Sequence, residues 1–393
     1  MTRLPTGLRA LASSLFLATL AAFAGPLALA GQAPVPKPPT VPTNGYILID
    51  HDSGRVLADM RSDERMEPAS ITKLMTGYIV FHALAEKRLA LTDNVTISEH
   101  AWRTGGSASG GSTSFLVLGS QVPVEVLIKG MIVQSGNDAT IALAEKVGGT
   151  EDGFVQMMNE YSQRLGLKNT HFQNSWGGPS PEHYTTARDL SLLARAIIRE
   201  FPEYYKWYSE REFTWNGIKQ SNRNGLLYRD PTVDGMKTGH TDSAKYCLVA
   251  SAKRSGMRLI SVVLGSPSEK AREDASAALL NYGFTFFETV PLQTGGKALL
   301  TPRVFKGATD TVPVGTAGTV SVTIPRGQGG TLKKETQVTS PLIAPLKAGQ
   351  AVGEYVVSTD SGVVARVPLV ALQPVEEAGI FGSLIDTVRL WFE

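Results

Sequence analysis

The sequence predicts an α+β protein, in which a mixed sheet with a helical cluster is followed by a small all-β domain and a C-terminal amphipathic helix. Three observations predict this order. Two hairpin signals enclose a long stretch of helical periodicity. The composition after Gln293 changes to short runs rich in Val, Thr, Gly and Pro, and apolar residues return to helical spacing at the C-terminus. A length of 393 residues gives room for two or more domains.

The N-terminus predicts a cleaved export signal over residues 1–30. Its first nine residues are basic, and the rest is apolar, rich in small residues and ends in Ala-Leu-Ala, a pattern typical of signal peptidase sites. The alternative is an uncleaved membrane anchor, since the apolar run approaches the ~20 residues that span a bilayer. Gly25 and Pro26 interrupt that run and favour cleavage. Residues 31–44 are rich in proline, which predicts an extended spacer.

Residues 45–292 combine both kinds of secondary structure. Hairpins are predicted where residues 46–50 meet 55–59 and where 246–252 meet 258–264. Helical spacing of apolar residues covers five stretches: 71–84, 124–133, 138–147, 153–165 and 187–198. Thr186 and Asp189 fit a capping box at the start of the last helix. The Gly- and Ser-rich residues 104–114 predict a mobile loop.

The C-terminal part changes composition twice. Residues 293–375 predict a small all-β domain, and residues 376–393 predict a helix with one entirely apolar face. That face comprises Phe381, Leu384, Ile385, Val388, Trp391 and Phe392. Large aromatic side chains at a chain terminus, with Asp386 and Arg389 on the other face, favour an interfacial membrane anchor. The alternative is a helix docked on the β domain.

Composition excludes several classes of function. The chain carries 38 Lys and Arg against 36 Asp and Glu, and two of the arginines lie in the predicted signal, so the mature chain is balanced. Balanced charge disfavours a nucleic-acid-binding surface. Cys247 is the only cysteine, which rules out an internal disulfide and a multi-thiolate metal site, and its apolar neighbours predict burial. No metal or organic cofactor is indicated.

A first motif pairs Ser70 with Lys73 at the start of a predicted helix. Residues three apart share a helix face, so the hydroxyl and the amine lie side by side. A serine becomes nucleophilic when a base removes its proton, and a lysine can act as that base when burial or a nearby cation lowers its pKa. Alone, Ser-x-x-Lys is weak evidence, because an N-terminal serine and an exposed lysine fit many helices.

Two later motifs supply polar groups for the same cleft. Ser135-Gly136-Asn137 lies between two predicted helices, where the glycine permits a tight turn. Lys237-Thr238-Gly239 precedes the strand that contains Cys247, so an edge strand could present a cation, a hydroxyl and accessible backbone N–H groups. Each triplet is common by chance, but their order along one chain is not.

This order resembles the signature of the serine penicillin-recognising enzymes, Ser-x-x-Lys, Ser-x-Asn and Lys-Thr-Gly. The similarity is to the low-molecular-mass penicillin-binding proteins, the D-alanyl-D-alanine carboxypeptidases of bacterial cell walls, and covers nearly the whole mature chain. Beyond the triplets it rests on QSGNDA at 134–139, GLKNTHF at 166–172, NRNGLL at 222–227, VDG at 233–235, KTGHT at 237–241 and GFTFFETV at 283–290. The resemblance implies a β-lactamase/transpeptidase-like domain with an antiparallel sheet at residues 45–292.

The resemblance also implies catalytic roles. Ser70 is expected to be the acylated nucleophile, Lys73 its proton acceptor and Ser135 a relay to the leaving group. Lys237 is expected to hold Lys73 partly neutral and to polarise the site. Backbone N–H groups of Ser70 and His240 are expected to form the oxyanion hole.

Substrate contacts follow from the same resemblance. The residues expected to bind substrate are Asn137, Arg223, Lys237, Thr238, Gly239, His240 and Arg272. Thr238 matches the family residue that contacts the terminal carboxylate. Arg223 and Arg272 lie in matching segments, where a structural ion pair is an equally good interpretation of each. His183 and Asp189 are expected to organise a loop.

The expected activity is removal of the terminal D-alanine from peptidoglycan pentapeptides by a serine-type D-Ala-D-Ala carboxypeptidase that β-lactams acylate. The expected location is the periplasm, where the C-terminal helix attaches the protein to the outer face of the inner membrane. A transpeptidase, a β-lactamase, a DD-endopeptidase and a non-catalytic cell-wall scaffold remain alternatives. A class A β-lactamase needs a deacylating glutamate, and no convincing Glu-x-x-Leu-Asn lies between Ser135 and Lys237.

Overall fold

A computed structural model describes residues 35–379 together with Asp386 and Thr387. The predicted export signal and most of the predicted C-terminal helix lie outside the described residues.

The described α-helices follow one another from Lys73 to Phe286. They are α1 (Lys73–Ala85), α2 (Glu99–Gly105), α3 (Val124–Lys129), α4 (Asn137–Gly148), α5 (Glu151–Arg164), α6 (Ala187–Glu200), α7 (Pro202–Tyr205), α8 (Leu226–Arg229) and α9 (Glu269–Phe286). A 3₁₀ turn, Ala69–Thr72, leads into α1, and a π-helical turn, Gly130–Gln134, extends α3.

The described strands begin before the helices and continue after them. They are β1 (Gly45–Asp50), β2 (Val56–Met60), β3 (Asn94–Thr96), β4 (Gln121–Pro123), β5 (Glu212–Trp215), β6 (Ile218–Ser221), β7 (Val233–Thr241), β8 (Lys245–Arg254), β9 (Met257–Ser266), β10 (Phe287–Gln293), β11 (Ala298–Leu300), β12 (Val304–Phe305), β13 (Val314–Thr316), β14 (Val320–Pro325), β15 (Lys333–Val338), β16 (Leu342–Ile343), β17 (Ala351–Thr359) and β18 (Gly362–Ala371).

The central sheet has the order β2-β1-β9-β8-β7, and every neighbouring pair is antiparallel. Its inner strands are buried on both faces. Ile47 of β1 belongs to the core shared with the helical cluster. The next residue, Leu48, points to the other face, where Gly283 of α9 packs so closely that a Cβ there would lie 3.0 Å from the Leu48 side chain. Burial on both faces explains why these strands have continuous apolar sequences. The arrangement leaves β7 as an edge strand.

Helix α1 lies at the centre of the helical cluster. Eleven of its residues are buried, including Leu74, Met75 and Phe81. A helix that is apolar on all sides is typical of a core position. The 3₁₀ turn that leads into α1 is therefore held in place by the packing around the whole helix.

The loop after α5 is tied to the turn that begins α1. His183 is buried, its Nδ1 accepts from the Gln173 backbone N–H at 3.2 Å, and its Nε2 lies 2.8 Å from Thr72 Oγ1. Because Nδ1 accepts, Nε2 carries the proton and donates to Thr72. Burial lowers the pKa of His183 to about 4, so the ring is neutral at pH 7. This supports the prediction that His183 organises the loop.

The second five-stranded sheet has the order β11-β13-β18-β17-β15 and belongs to the all-β region. A separate pair joins β10 to β14. The core of this region includes the buried residues Val314, Val357 and Leu369. Its Thr323 contacts the first hairpin, since Ser53 Oγ lies 2.6 Å from Thr323 Oγ1.

The structure confirms the α+β class and both predicted hairpins. The five predicted helices also form, with shifts of a few residues at their ends. One local prediction is wrong in part. Thr186 accepts from the Asp189 backbone N–H at 3.0 Å, but the Asp189 carboxylate does not complete a capping box. It accepts instead from the Asn169 backbone N–H and the Thr170 hydroxyl, both at 2.8 Å, because the preceding loop supplies these closer donors.

Candidate active site

Ser70 lies in the 3₁₀ turn before α1, and close backbone packing holds that turn. Ala69 adopts a left-handed conformation with φ +47°, which is unfavourable for a residue with a side chain. Gly177 and Gly239 pack against the turn. A Cβ on Gly177 would lie 1.9 Å from Ala69 O, and one on Gly239 would lie 2.8 Å from Pro68 O. Both positions therefore require glycine.

The Lys73 amine is fully surrounded by polar partners. Its Nζ lies 2.9 Å from Ser70 Oγ, 2.8 Å from Asn137 Oδ1 and 2.7 Å from Trp176 O. A neutral amine has two N–H donors and one lone pair. The charged amine donates to all three oxygens, whereas in the neutral amine the amide and carbonyl oxygens take the two donors and the lone pair faces Ser70, whose hydroxyl then donates to Nζ. The geometry is that of a base directed at a nucleophile.

The environment favours the neutral form of Lys73. The residue is 1% exposed, and the loss of hydration lowers its pKa to about 7, with a further contribution from the positive charge of Arg223. The carboxylate of Asp138 acts in the opposite direction. Desolvation is the larger effect, so a substantial fraction of Lys73 is uncharged near neutral pH.

Ser135 is linked to the second lysine. It adopts a left-handed conformation with φ +66°, at the point where the π-helical turn ends and α4 follows. Lys237 Nζ donates to Ser135 Oγ at 2.9 Å and to Thr238 O at 3.1 Å. Among the contacts between described residues, no hydrogen bond joins Ser135 to Lys73. Burial, followed by the charge of Lys73, lowers the pKa of Lys237.

A cavity of 310 Å³ opens over these groups. The predicted site residues that line it are Ser70, Ser135, Arg223, Thr238, Gly239, His240 and Arg272. The other three, Lys73, Asn137 and Lys237, are buried and connected to the cavity wall by the hydrogen bonds above. All ten predicted residues are thus brought together.

Positive charge accumulates at one end of the cavity. Arg272 is 2% exposed, and its nearest backbone acceptors are Gly239 O at 3.4 Å and Arg223 O at 3.5 Å. Its guanidinium carbon lies 5.6 Å from the centre of the Tyr246 ring, which stacks on His240 with 4.1 Å between ring centres. A guanidinium held in this way can bind a carboxylate.

Several functional contacts could not be found from sequence motifs. Trp176 contributes only a backbone carbonyl, which any residue could supply. Asp138 is buried and accepts from the backbone N–H groups of Ser114 and Leu116 at 2.8 and 3.1 Å, which fixes the end of the Gly- and Ser-rich loop. That loop then lines the cavity with Gly110, Gly111 and Ser112. Of these contacts, that of Asp138 has a signal in the sequence, because an acidic residue stands directly after Asn137.

Cys247 lies opposite Gly239 in the sheet and is fully buried, as predicted. Its thiol donates to Ala244 O at 3.4 Å, and burial raises its pKa to about 11. The thiol is therefore unreactive at neutral pH.

Comparison with known proteins gives matches over almost the entire described chain. A family model described as D-alanyl-D-alanine carboxypeptidase matches residues 32–268, and one described as penicillin-binding protein 5, C-terminal domain, matches residues 287–377. D-alanyl-D-alanine carboxypeptidase DacA of Escherichia coli K12 is 46% identical over 361 residues, which cover 91% of this chain and 90% of the relative.

A second relative and one solved structure extend these matches. D-alanyl-D-alanine carboxypeptidase DacC of Escherichia coli K12 is 46% identical over 396 residues, and the match covers 100% of this chain and 98% of the relative. The crystal structure of penicillin binding protein 5 from Haemophilus influenzae superposes with a TM-score of 0.82 at 44% identity. It covers 87% of this chain and 100% of its own. These matches confirm the predicted transpeptidase-like domain followed by an all-β domain.

The pKa of Lys73 predicts how the reactivity of Ser70 depends on pH. Only the uncharged amine can accept a proton, so acylation of Ser70 by benzylpenicillin should become faster as the pH rises through about 7. The uncharged fraction grows roughly tenfold between pH 6 and pH 8, and the rate constant should grow in proportion. Mass spectrometry of the intact protein measures this rate.

Lys73→Arg provides the matched control, because a guanidinium stays charged at every accessible pH. The variant should lose acylation throughout the range. A wild-type rate constant that does not change between pH 6 and pH 8 would contradict the role given to burial.

Proposed function

The chain belongs to the D-alanyl-D-alanine carboxypeptidase family, and we propose that its cleft removes the terminal D-alanine from peptidoglycan pentapeptides through an acyl-enzyme on Ser70. The protein is a serine-type D-Ala-D-Ala carboxypeptidase. Penicillins resemble the substrate in presenting an amide near a carboxylate, and the strain of their four-membered ring makes that amide reactive, so they acylate the same hydroxyl. The observation that best supports this chemistry is the 2.9 Å contact between Lys73 Nζ and Ser70 Oγ in a buried setting.

In the first half-reaction, neutral Lys73 takes the proton of Ser70 as the oxygen attacks the carbonyl of the penultimate D-alanine. The carbonyl oxygen becomes an anion, which the backbone N–H groups of Ser70 and His240 stabilise. These donors act mainly on the charge that develops in the transition state. The tight packing around the Ser70 turn supports this role, because it keeps the nucleophile and one oxyanion donor in fixed positions.

Departure of D-alanine requires a proton on its nitrogen. Ser135 delivers it, and the proton comes from the Lys73 ammonium formed in the first step. The 2.9 Å bond from Lys237 supports this role of Ser135, since a cation beside the hydroxyl makes its proton easier to transfer. Because no hydrogen bond joins Ser135 to Lys73 among the described residues, the relay also requires that one of them moves into contact with the other when substrate binds.

In the second half-reaction, water replaces the leaving group. Lys73, neutral again, accepts a proton from the water as it attacks the ester. That proton passes to Ser70 Oγ as the ester bond breaks, which frees the shortened peptide and restores the hydroxyl. The same buried amine thus serves both halves. Asn137 accepts from Lys73 at 2.8 Å and supports this role by keeping the amine in place.

The terminal carboxylate of the substrate binds at the cationic end of the cavity. Thr238 provides a hydroxyl, and Arg223 and Arg272 provide positive charge. The burial of Arg272 supports this assignment, because a guanidinium with little access to water gains more from an anionic ligand. This end of the site selects peptides with a free C-terminus and fits an exopeptidase.

We also propose an export signal at 1–30 and a membrane-anchoring helix in the C-terminal segment. The predicted start of that helix at residue 376 is wrong, because residues 376–379 are not helical and Glu377 forms a β-bridge with Gly307. Within the described residues, no helix has the length and apolar character needed to cross a bilayer. Asp386 accepts from the Lys306 backbone N–H at 2.7 Å and pairs with Arg303 at 3.3 Å. On the predicted helical spacing Asp386 is opposite the apolar face. Because Asp386 attaches the polar side of the predicted helix to the β domain, the opposite, apolar side is available to contact a membrane. This supports the proposed anchor.

Ser70→Ala should abolish release of D-alanine from a pentapeptide, because no other group replaces the nucleophile. The measurement is D-alanine released over time, together with the mass of the protein after exposure to benzylpenicillin. The wild-type protein should gain the mass of one penicillin, and Ser70→Ala should gain none. Release of D-alanine by the variant at the wild-type rate would contradict the acyl-enzyme.

Deletion of residues 380–393 should release the protein from membranes into the soluble fraction. The deletion begins after the contacts that residues 376–378 make with the β domain, such as the bond from the Ala378 N–H to Lys306 O. Penicillin acylation of the shortened protein should be unchanged, which serves as the control for folding. Membrane partitioning equal to that of the full chain would contradict the anchor.

A further inference from the structure

A carboxylate lies at the cationic end of the cavity, where the substrate carboxylate is proposed to bind. Glu269 lines the same cavity as Arg272, and its Oε1 is 3.6 Å from Arg272 Nη2. The two side chains differ sharply in exposure, at 69% for the glutamate and 2% for the arginine. None of the sequence motifs includes this glutamate.

Arg272 has few strong acceptors of its own. Its Nε is buried without a hydrogen-bond partner among the described residues, and its bonds to Gly239 O and Arg223 O are long, at 3.4 and 3.5 Å. In the described part of the chain, Glu269 provides its only ion pair within 4 Å. A buried cation with incomplete bonding gains from any anion that reaches it. Among the described residues that anion is Glu269.

The position of Glu269 also has an ordinary explanation. It follows the N-cap Ser268 and lies in the first turn of α9, where an acidic residue interacts favourably with the helix dipole. That explanation predicts an effect on stability alone. It does not predict any effect that depends on whether a ligand carries a carboxylate.

We propose that Glu269 is a specificity-determining residue that competes with the terminal carboxylate of the substrate for Arg272. This inference rests on the proposed function. Substrate binding displaces the glutamate, which is exposed and long enough to turn toward solvent. Because the two carboxylates repel each other, Glu269 weakens substrate binding, and for the same reason it favours release of D-alanine, which also carries a carboxylate.

The proposal can be tested with a pair of ligands that differ only in this charge. Benzylpenicillin carries a free carboxylate, and its methyl ester does not. Glu269→Gln should raise the second-order rate constant for acylation by benzylpenicillin about threefold, the size of effect that an exposed ion pair permits. Acylation by the methyl ester should stay unchanged. Peptide hydrolysis should show the same pattern, with a lower KM and an unchanged kcat.

Asp274→Asn is the matched control. It removes one negative charge from the same helix, but its carboxylate pairs with Arg229 and Lys270 and does not line the cavity. This variant should treat both ligands as the wild type does. Thermal unfolding of both variants reports any loss of helix stability separately.

Each outcome has a distinct meaning. An equal effect of Glu269→Gln on the acid and the ester, or a change in thermal stability with no change in either rate, would overturn the inference and leave the carboxypeptidase intact. A wild-type protein that neither releases D-alanine nor reacts with penicillin would overturn the proposed function and this inference with it.

Discussion

The proposed chemistry of this protein depends on keeping one lysine amine uncharged next to a serine hydroxyl. An exposed lysine is protonated at neutral pH and cannot accept a proton. Here Lys73 is 1% exposed, at the start of the buried helix α1, and loss of hydration lowers its pKa to about 7. Packing of the whole helical cluster around α1 therefore has a direct chemical consequence. The Trp176 carbonyl and the Asn137 amide complete this environment by accepting the two amine protons.

The second constraint is the concentration of positive charge in a small cleft. Arg223 and Arg272 line the cavity, and Lys237 lies buried beside it. The charge of Arg223 adds to the effect of burial in lowering the pKa of Lys73, and the charges of Lys73, Arg223 and Arg272 do so for Lys237. Such an arrangement is costly in the empty protein, but it complements a ligand with a terminal carboxylate. Glu269 at the rim offsets part of that cost. The balance between these charges sets how strongly the cleft holds a carboxylate and how readily it releases one.

Much of the fold and the pairing of Ser70 with Lys73 could be predicted from the sequence because both depend on local patterns, whereas the other site residues followed from the resemblance to a known family. Ser70 and Lys73 are one helical turn apart, and the two hairpins have runs of β-forming residues around clear turn signals. Helix α9 was not predicted, because its buried side includes Arg272, Ser276 and Gly283, which hide the apolar periodicity. The Trp176 carbonyl has no sequence signature at all. Contacts of this kind depend on tertiary packing, which brings together segments that are distant in the chain.

Burial of Lys73, rather than any contact with substrate, leaves part of its amine unprotonated, and so able to accept a proton, at neutral pH. The most direct test is an NMR titration of the lysine side chains, with ¹⁵N at Nζ and with the Lys73 signal assigned by its absence from a Lys73→Arg variant. The titration midpoint of Lys73 is expected at about 7 in the free protein. A midpoint at the ordinary lysine value of 10.5 would contradict it.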